Sequence, residues 1–226
     1  MKWAAGIAIA ISAASSPARA ADLAYAGSAL VSTGTYGLTE RTTGFSLLNE
    51  LNLSVHPLRV SVGVSLITQN NSWVSTTGAG MIPSGSAASA ISSGGLGDTR
   101  TDASQSVFGI GDPIARADLE VLGARERFPT VAIVAQAKIP FADTSNGLGT
   151  GEWDYGAGLS LAKAAGSVTM IVEAVYWILG DPPEAELENP LAFSASLGRS
   201  FAGGKAPASA VVLSCTEIVS GAEPLR

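Results

Sequence analysis

Two neighbouring segments alternate between apolar and polar residues, broken only at Leu48-Asn49, and no other property of the chain limits its fold as severely. In FSLLNELNLSV, Phe45, Leu47, Leu51, Leu53 and Val55 share one parity, while Ser46, Glu50, Asn52 and Ser54 share the other. After His56-Pro57-Leu58-Arg59 the pattern resumes, with Val60, Val62, Val64 and Leu66 opposite Ser61, Gly63 and Ser65. A period of two is that of a β-strand, whose side chains point alternately to its two faces. The pair therefore predicts a hairpin.

The same period recurs down the chain. ARADLEVLG sets Ala115, Ala117, Leu119 and Val121 against Arg116, Asp118 and Glu120, and VAIVAQAKI sets Val131, Ile133, Ala135, Ala137 and Ile139 against Gln136 and Lys138. Asp154 to Lys163 supplies the next strand, with Tyr155, Ala157, Leu159 and Leu161 on one face. SVTMIVEAVYWIL then places Val168, Met170, Val172, Ala174, Tyr176 and Ile178 opposite Thr169 and Glu173, before LAFSASLG and ASAVVLSCTEIV. With a first strand around Ala29 to Gly37, nine strands are expected. Several have roughly the ten residues of a strand that crosses a bilayer at a tilt.

The connections alternate in length. HPLR, ARERFP, AAGS and AGGKAP are short, whereas Asn70 to Gln105, Asp143 to Trp153 and Asp181 to Pro190 are long. Outer-membrane barrels sort their connections in this way, with tight periplasmic turns and longer outer loops. The fold class expected is all-β, an antiparallel up-and-down outer-membrane β-barrel with its apolar parity toward lipid; a soluble sandwich or lipocalin is the alternative. In a closed sheet every backbone group is paired, so lipid meets only side chains and the lumen can hold charge. Glu50, Arg116, Asp118, Glu120, Lys138 and Glu173 are the candidate lumen-facing residues, with opposite charges expected to pair across neighbouring strands.

At the N-terminus, MKWAAGIAIAISAASSPARA combines an early Lys2, a short apolar run and Ala18-Arg19-Ala20. This is the pattern of a secretory signal peptide over residues 1–20, leaving 21–226 as a single barrel domain. The apolar run is shorter than the roughly 20 residues of a spanning helix. A net charge of −6 and the lack of a basic cluster argue against nucleic acid as a partner. The expected partners are outer-membrane lipid and a small-molecule solute. The single cysteine, Cys215, has no partner for an internal disulfide. The segment of about residues 70–105 is rich in Ser, Gly, Ala and Thr without a sustained period, and reads as a long loop that either folds inward or extends outside.

One stretch invites a different chemistry. NGLGTGEWDYG is rich in glycine, but it lacks the G-x-G-x-x-G spacing and the P-loop lysine, and it precedes a strand where a dinucleotide site needs a helix. Gly147, Gly149 and Gly151 are instead expected to supply positive φ in a loop, with Trp153 and Tyr155 at a membrane interface. Nothing implies a cofactor. The one histidine, His56, sits in a short turn and gives a weak case for serine hydrolysis by a lipid-modifying barrel enzyme. Asp181, Glu184, Glu186 and Glu188 read as a solvated acidic loop, with weak calcium binding as the alternative.

Gly109-Ile110-Gly111-Asp112, Lys138-Ile139-Pro140, Gly147-Leu148-Gly149-Thr150-Gly151, Asp154-Tyr155 and Gly180-Asp181-Pro182-Pro183 occur in this order. Between Gly109 and Gly198, about half of the chain, the sequence resembles a family of outer-membrane β-barrels described as transporters or as proteins of the meta-pathway of phenol degradation. The resemblance implies a barrel in the outer membrane of a Gram-negative bacterium, transport of small solutes, and no catalytic residues. For an aromatic solute, Trp177 and Trp73 are the contacts to consider, each with a packing or loop role as the alternative. A structural barrel without transport is the other reading. Nine strands also leave GAEPLR outside with no terminal aromatic, so either a strand is uncounted or the barrel is incomplete at its C-terminus.

Overall fold

The structure is a computed structural model describing residues 4–14, 22–34, 42–70, 74–77, 80–83, 106–123, 128–146, 148–181, 187, 189–201 and 208–219. The described chain is all-β apart from a 3₁₀ turn at Thr144–Asn146. Its strands are β1 (Ala4–Ala14), β2 (Asp22–Gly34), β3 (Thr42–Val55), β4 (Leu58–Gln69), β5 (Val74–Thr77), β6 (Gly80–Pro83), β7 (Val107–Ile110), β8 (Ile114–Leu122), β9 (Thr130–Lys138), β10 (Asp154–Ala165), β11 (Val168–Ile178), β12 (Leu191–Phe201) and β13 (Ala208–Val219). Among the described residues no helix is long and apolar enough to cross a membrane.

All strands but β5 and β6 belong to one curled antiparallel sheet, in the order β3-β2-β1-β13-β12-β11-β10-β9-β8-β4-β7. Because β3 also pairs with β4, each of β1 to β4 and β8 to β13 has a neighbour on both sides and the ladder returns on itself. Antiparallel neighbours joined in sequence order place the short connections at one end and the long ones at the other. His56-Pro57 and Gly166-Ser167 turn at the first end, and residues 139–153 and 179–190 run between strands at the second.

Three expectations change. The strand expected around Ala29 to Gly37 starts earlier: β2 spans Asp22–Gly34, and residues 35–37 lie outside the described residues. Its Ala, Gly and Ser residues dilute the alternation of Leu23, Tyr25 and Val31, so its start is hard to read. The strand count among the described residues also exceeds nine, because Ala4–Ala14 forms β1 between β2 and β13 and Val107–Ile110 forms β7 beside β4. An apolar run with isoleucine at every second position, Ile7, Ile9 and Ile11, satisfies both an export signal and a strand. Finally, the long loop contains a small antiparallel hairpin, β5 and β6.

Side-chain parity follows the sequence. On the convex face Leu47, Leu51, Val62, Leu119, Ile133, Tyr155, Leu159, Tyr176, Ile178 and Phe193 are exposed, although all are large and apolar. The concave face carries small and polar residues, among them Ser61, Gly63, Lys138, Asp154 and Ser160, all buried. Two small apolar clusters lie inside near the long-loop end. One joins Val175, Trp177, Leu179 and Ala192, with Leu187 against it, and the other joins Ile67, Val107 and Leu148, with Ala142 against it. Trp177 is thus a packing residue: a side chain at Gly156, on the adjacent strand, would meet its indole at 3.0 Å. An inward glycine beside a large aromatic lets that ring lie down across the neighbouring strand.

Candidate functional site

At the long-loop end the glycine- and aspartate-bearing motifs converge on one lysine. Lys138 is the last residue of β9 and Asp154 the first of β10, and the ladder places them directly opposite each other. The third charge arrives through a bulge. β7 and β8 both pair with β4, Ile110 opposite Leu66 and Ile114 opposite Gly63, so residues 111–113 face only Val64 and Ser65. Extra residues in a ladder bend the strand and re-aim a side chain, and here Asp112 turns toward Lys138. Gly111 N donates to Ser65 O at 2.8 Å, and Pro113 O accepts from Ile139 N at 2.9 Å, which fixes the bulge on both sides.

Lys138 Nζ lies 3.0 Å from Asp112 Oδ2 and 3.3 Å from Asp154 Oδ2, and it donates to Thr150 Oγ1 at 2.9 Å. Lys138 and Asp154 are 0 % exposed. The remaining carboxylate oxygens are also used. Asp112 Oδ1 accepts from the backbone N–H groups of Phe141 and Ala142 at 2.8 and 2.7 Å, and Asp154 Oδ1 accepts from Gly180 N at 3.0 Å. A buried ion pair is tolerable only when such hydrogen bonds satisfy its remaining atoms. The result is a clasp that joins the β7–β8 bulge, the β9–β10 loop and the end of β11.

The glycine motif now has a physical account. Gly151 has φ +79° and Gly147 lies outside the described residues, whereas Gly149 serves close approach: an added Cβ would fall 2.5 Å from Asp112 Oδ2 and 3.0 Å from Ala142 Cβ. Before it, Leu148 is buried against Ile67 and Val107. The loop therefore folds inward. At its start Asp143 accepts from Ser145 N and Oγ at 2.9 and 2.6 Å and from Asn146 Nδ2 at 2.6 Å, which holds its carboxyl below the ordinary value. Beyond it Tyr155 is exposed and stacked on Trp153, with ring centroids 6.1 Å apart. Asp181 accepts from Leu187 N at 2.7 Å, Leu179 N donates to Asn189 Oδ1 at 2.9 Å, and Pro182, Pro183, Glu184, Glu186 and Glu188 lie outside the described residues.

A second charged group crosses the concave interior. Arg116 on β8 holds Asp118, two residues on, through Nε at 3.0 and 2.9 Å and through Nη2 at 2.6 Å. The same guanidinium reaches Glu173 on β11 at 3.1 and 2.5 Å. Pairing across neighbouring strands describes Lys138 and Asp154 but not Arg116, because β9 and β10 separate β8 from β11. Long side chains on a tightly curved sheet converge, so the shorter route is across the interior. Glu50 is half-buried opposite Gly63, and Glu120 is half-buried near the short-turn end, its N–H donated to Pro57 O at 2.8 Å. His56 is exposed in the β3–β4 turn. Among the described residues no group of three or more His, Cys, Asp or Glu is placed to hold a metal. The side chains of Trp73 and Cys215 lie outside the described residues.

Sequence reasoning placed Lys138 in the lumen and the motif residues in a loop, but it missed that they form one site. Asp112 gave only a weak signal, as an aspartate between Gly111 and Pro113 where a strand would otherwise run. No protein-family model matches the chain, and comparison with curated protein sequences gives no match either.

Proposed function

We propose that this chain is an outer-membrane β-barrel of the transporter-like family its motifs resemble, passing a small solute through a narrow, charge-lined lumen. The observation that carries the reading is the outward face. Leu51, Val62, Leu159, Tyr176 and Ile178 are each about half exposed on one continuous convex surface, and water would penalise such a surface that lipid would not. The inward position of Arg116, Asp118, Glu173 and Lys138 supports the same assignment, since charge on the other face would be costly in a bilayer. Trp153 and Tyr155, stacked at the start of β10, suit the interfacial girdle of such a barrel.

Refolded protein in planar bilayers and in liposomes provides the test. The reading expects discrete conductance steps and entry of a small solute into liposomes. A barrel without transport is the second reading, and it is favoured by the inward β9–β10 loop with Leu148 packed beneath it. Folded, bilayer-inserted protein that neither conducts nor admits solute would select that reading over transport.

A further inference from the structure

Away from the clasp, the charged residues of the inward parity among the described strands are Asp22, Glu50, Arg59, Arg116, Asp118, Glu120 and Glu173. Two arginines thus face five carboxylates. Asp22 and Arg59 are exposed at the short-turn rim, with Arg59 opposite Asp118 in the ladder. Deeper inside, the one cation is Arg116, and both of its forks are engaged. Its Nε and Nη2 bond Asp118, while Nη1 and Nη2 bond Glu173. A guanidinium recognises an anionic solute by offering two parallel N–H groups, and Arg116 already spends them on the protein's own carboxylates. Glu50 and Glu120 add negative charge with no arginine or lysine of the described interior bonded to them. The clasp contributes one lysine against two aspartates.

Resting on the proposed pore, we infer that its lumen selects for cations or uncharged solutes and rejects carboxylate-bearing ones, with Glu50, Asp118 and Glu173 as the specificity-determining residues. A barrel of about this strand number is little wider than its own side chains, and the Debye length is about 8 Å at physiological salt. Fixed charge therefore acts on a passing ion almost unscreened, as acidic rings do in cation channels. The Arg116–Glu173 bridge spans the interior from β8 to β11, so a solute must pass beside it.

The test is the zero-current potential of the full chain in a planar bilayer under a KCl gradient. The expected preference for K+ over Cl− is on the order of tenfold, and it falls toward unity in the double variant Glu50→Gln/Glu173→Gln. Glu50→Gln alone leaves the Arg116 bridge intact, so it reports on lumen charge even if the double variant fails to fold, and a partial fall is expected. An open channel that prefers Cl−, or shows no preference, overturns the selectivity while leaving the pore standing. A K+ preference unchanged in Glu50→Gln overturns its assignment to that residue. Folded, inserted protein with no current overturns both the pore and its selectivity.

Discussion

Replacing Lys138 by methionine keeps the length of the side chain and removes its charge. In the native protein this amine has two carboxylate neighbours, at 3.0 and 3.3 Å, and a hydroxyl acceptor at 2.9 Å, in a site where the side chains of Lys138 and its aspartates are at most 1 % exposed. The variant leaves Asp112 and Asp154 facing each other without a cation. Removing one partner of a buried ion pair costs about 3–5 kcal/mol, and the native hydrogen bonds from Phe141, Ala142 and Gly180 keep both carboxylates in place, so the upper half of that range is expected. Urea titration of the bilayer-folded protein, followed by tryptophan fluorescence, measures the loss. The triple variant Asp112→Asn/Lys138→Met/Asp154→Asn should recover much of it, because the amide oxygens still accept those backbone N–H groups while no charge is left buried. A single variant that loses less than about 1 kcal/mol, or a triple variant no better than the single, would refute the charge-clasp account.

Three further outcomes are expected. Leu159 is 54 % exposed in the middle of β10, so Leu159→Arg should be nearly neutral if water covers that face and cost about 2–4 kcal/mol in a bilayer, as read from the same titration. On the convex face Asn49 Oδ1 accepts from Tyr25 Oη at 2.6 Å; in lipid Tyr25→Phe and Asn49→Leu should each cost about 1–3 kcal/mol by leaving one partner unsatisfied, the double variant should recover much of that loss, and near-neutral single variants would show that this face is wet. The Asp143 carboxyl, held down first by the Ser145 hydroxyl, should titrate below its ordinary value of 3.8 in a carbon-detected NMR titration, and Ser145→Ala should raise it. A depressed carboxyl stabilises its turn above the ordinary value and loses that contribution as pH falls through its own, so the β9–β10 loop should become more protease-sensitive only in strong acid.

Parity was the legible part of this molecule, because alternation is a local property of ten or so neighbouring residues. Leu119, Leu159 and Tyr176 face outward as their spacing requires, and Arg116, Lys138 and Glu173 face inward. The alternation of short and long connections likewise follows from hairpins joined in order. What local pattern does not encode is who meets whom. Asp112 reaches Lys138 only because a bulge turns it inward, and Arg116 meets Glu173 only because the sheet is curled tightly. Gly149 carried a signal that local reasoning read as torsional freedom, when its role is room for Asp112 Oδ2. The β1 segment was ambiguous for a different reason, since a leader and a strand both draw on a short apolar run.

The clasp also orders events in time. Lys138 and Asp154 come face to face once β9 and β10 pair, but Asp112 reaches Lys138 only when β8 has joined β9, and Gly180 reaches Asp154 only when β11 has joined β10. The complete clasp thus depends on strand pairing, whereas the ladder bonds of β8 to β11 do not depend on the clasp. Strand pairing and assembly can therefore run nearly to completion with residues 139–153 still outside, and their docking becomes the final, separately observable step. Folding followed by pulsed proteolysis would detect a species with its strands protected and this loop still open to cleavage, and Lys138→Met should arrest the protein there.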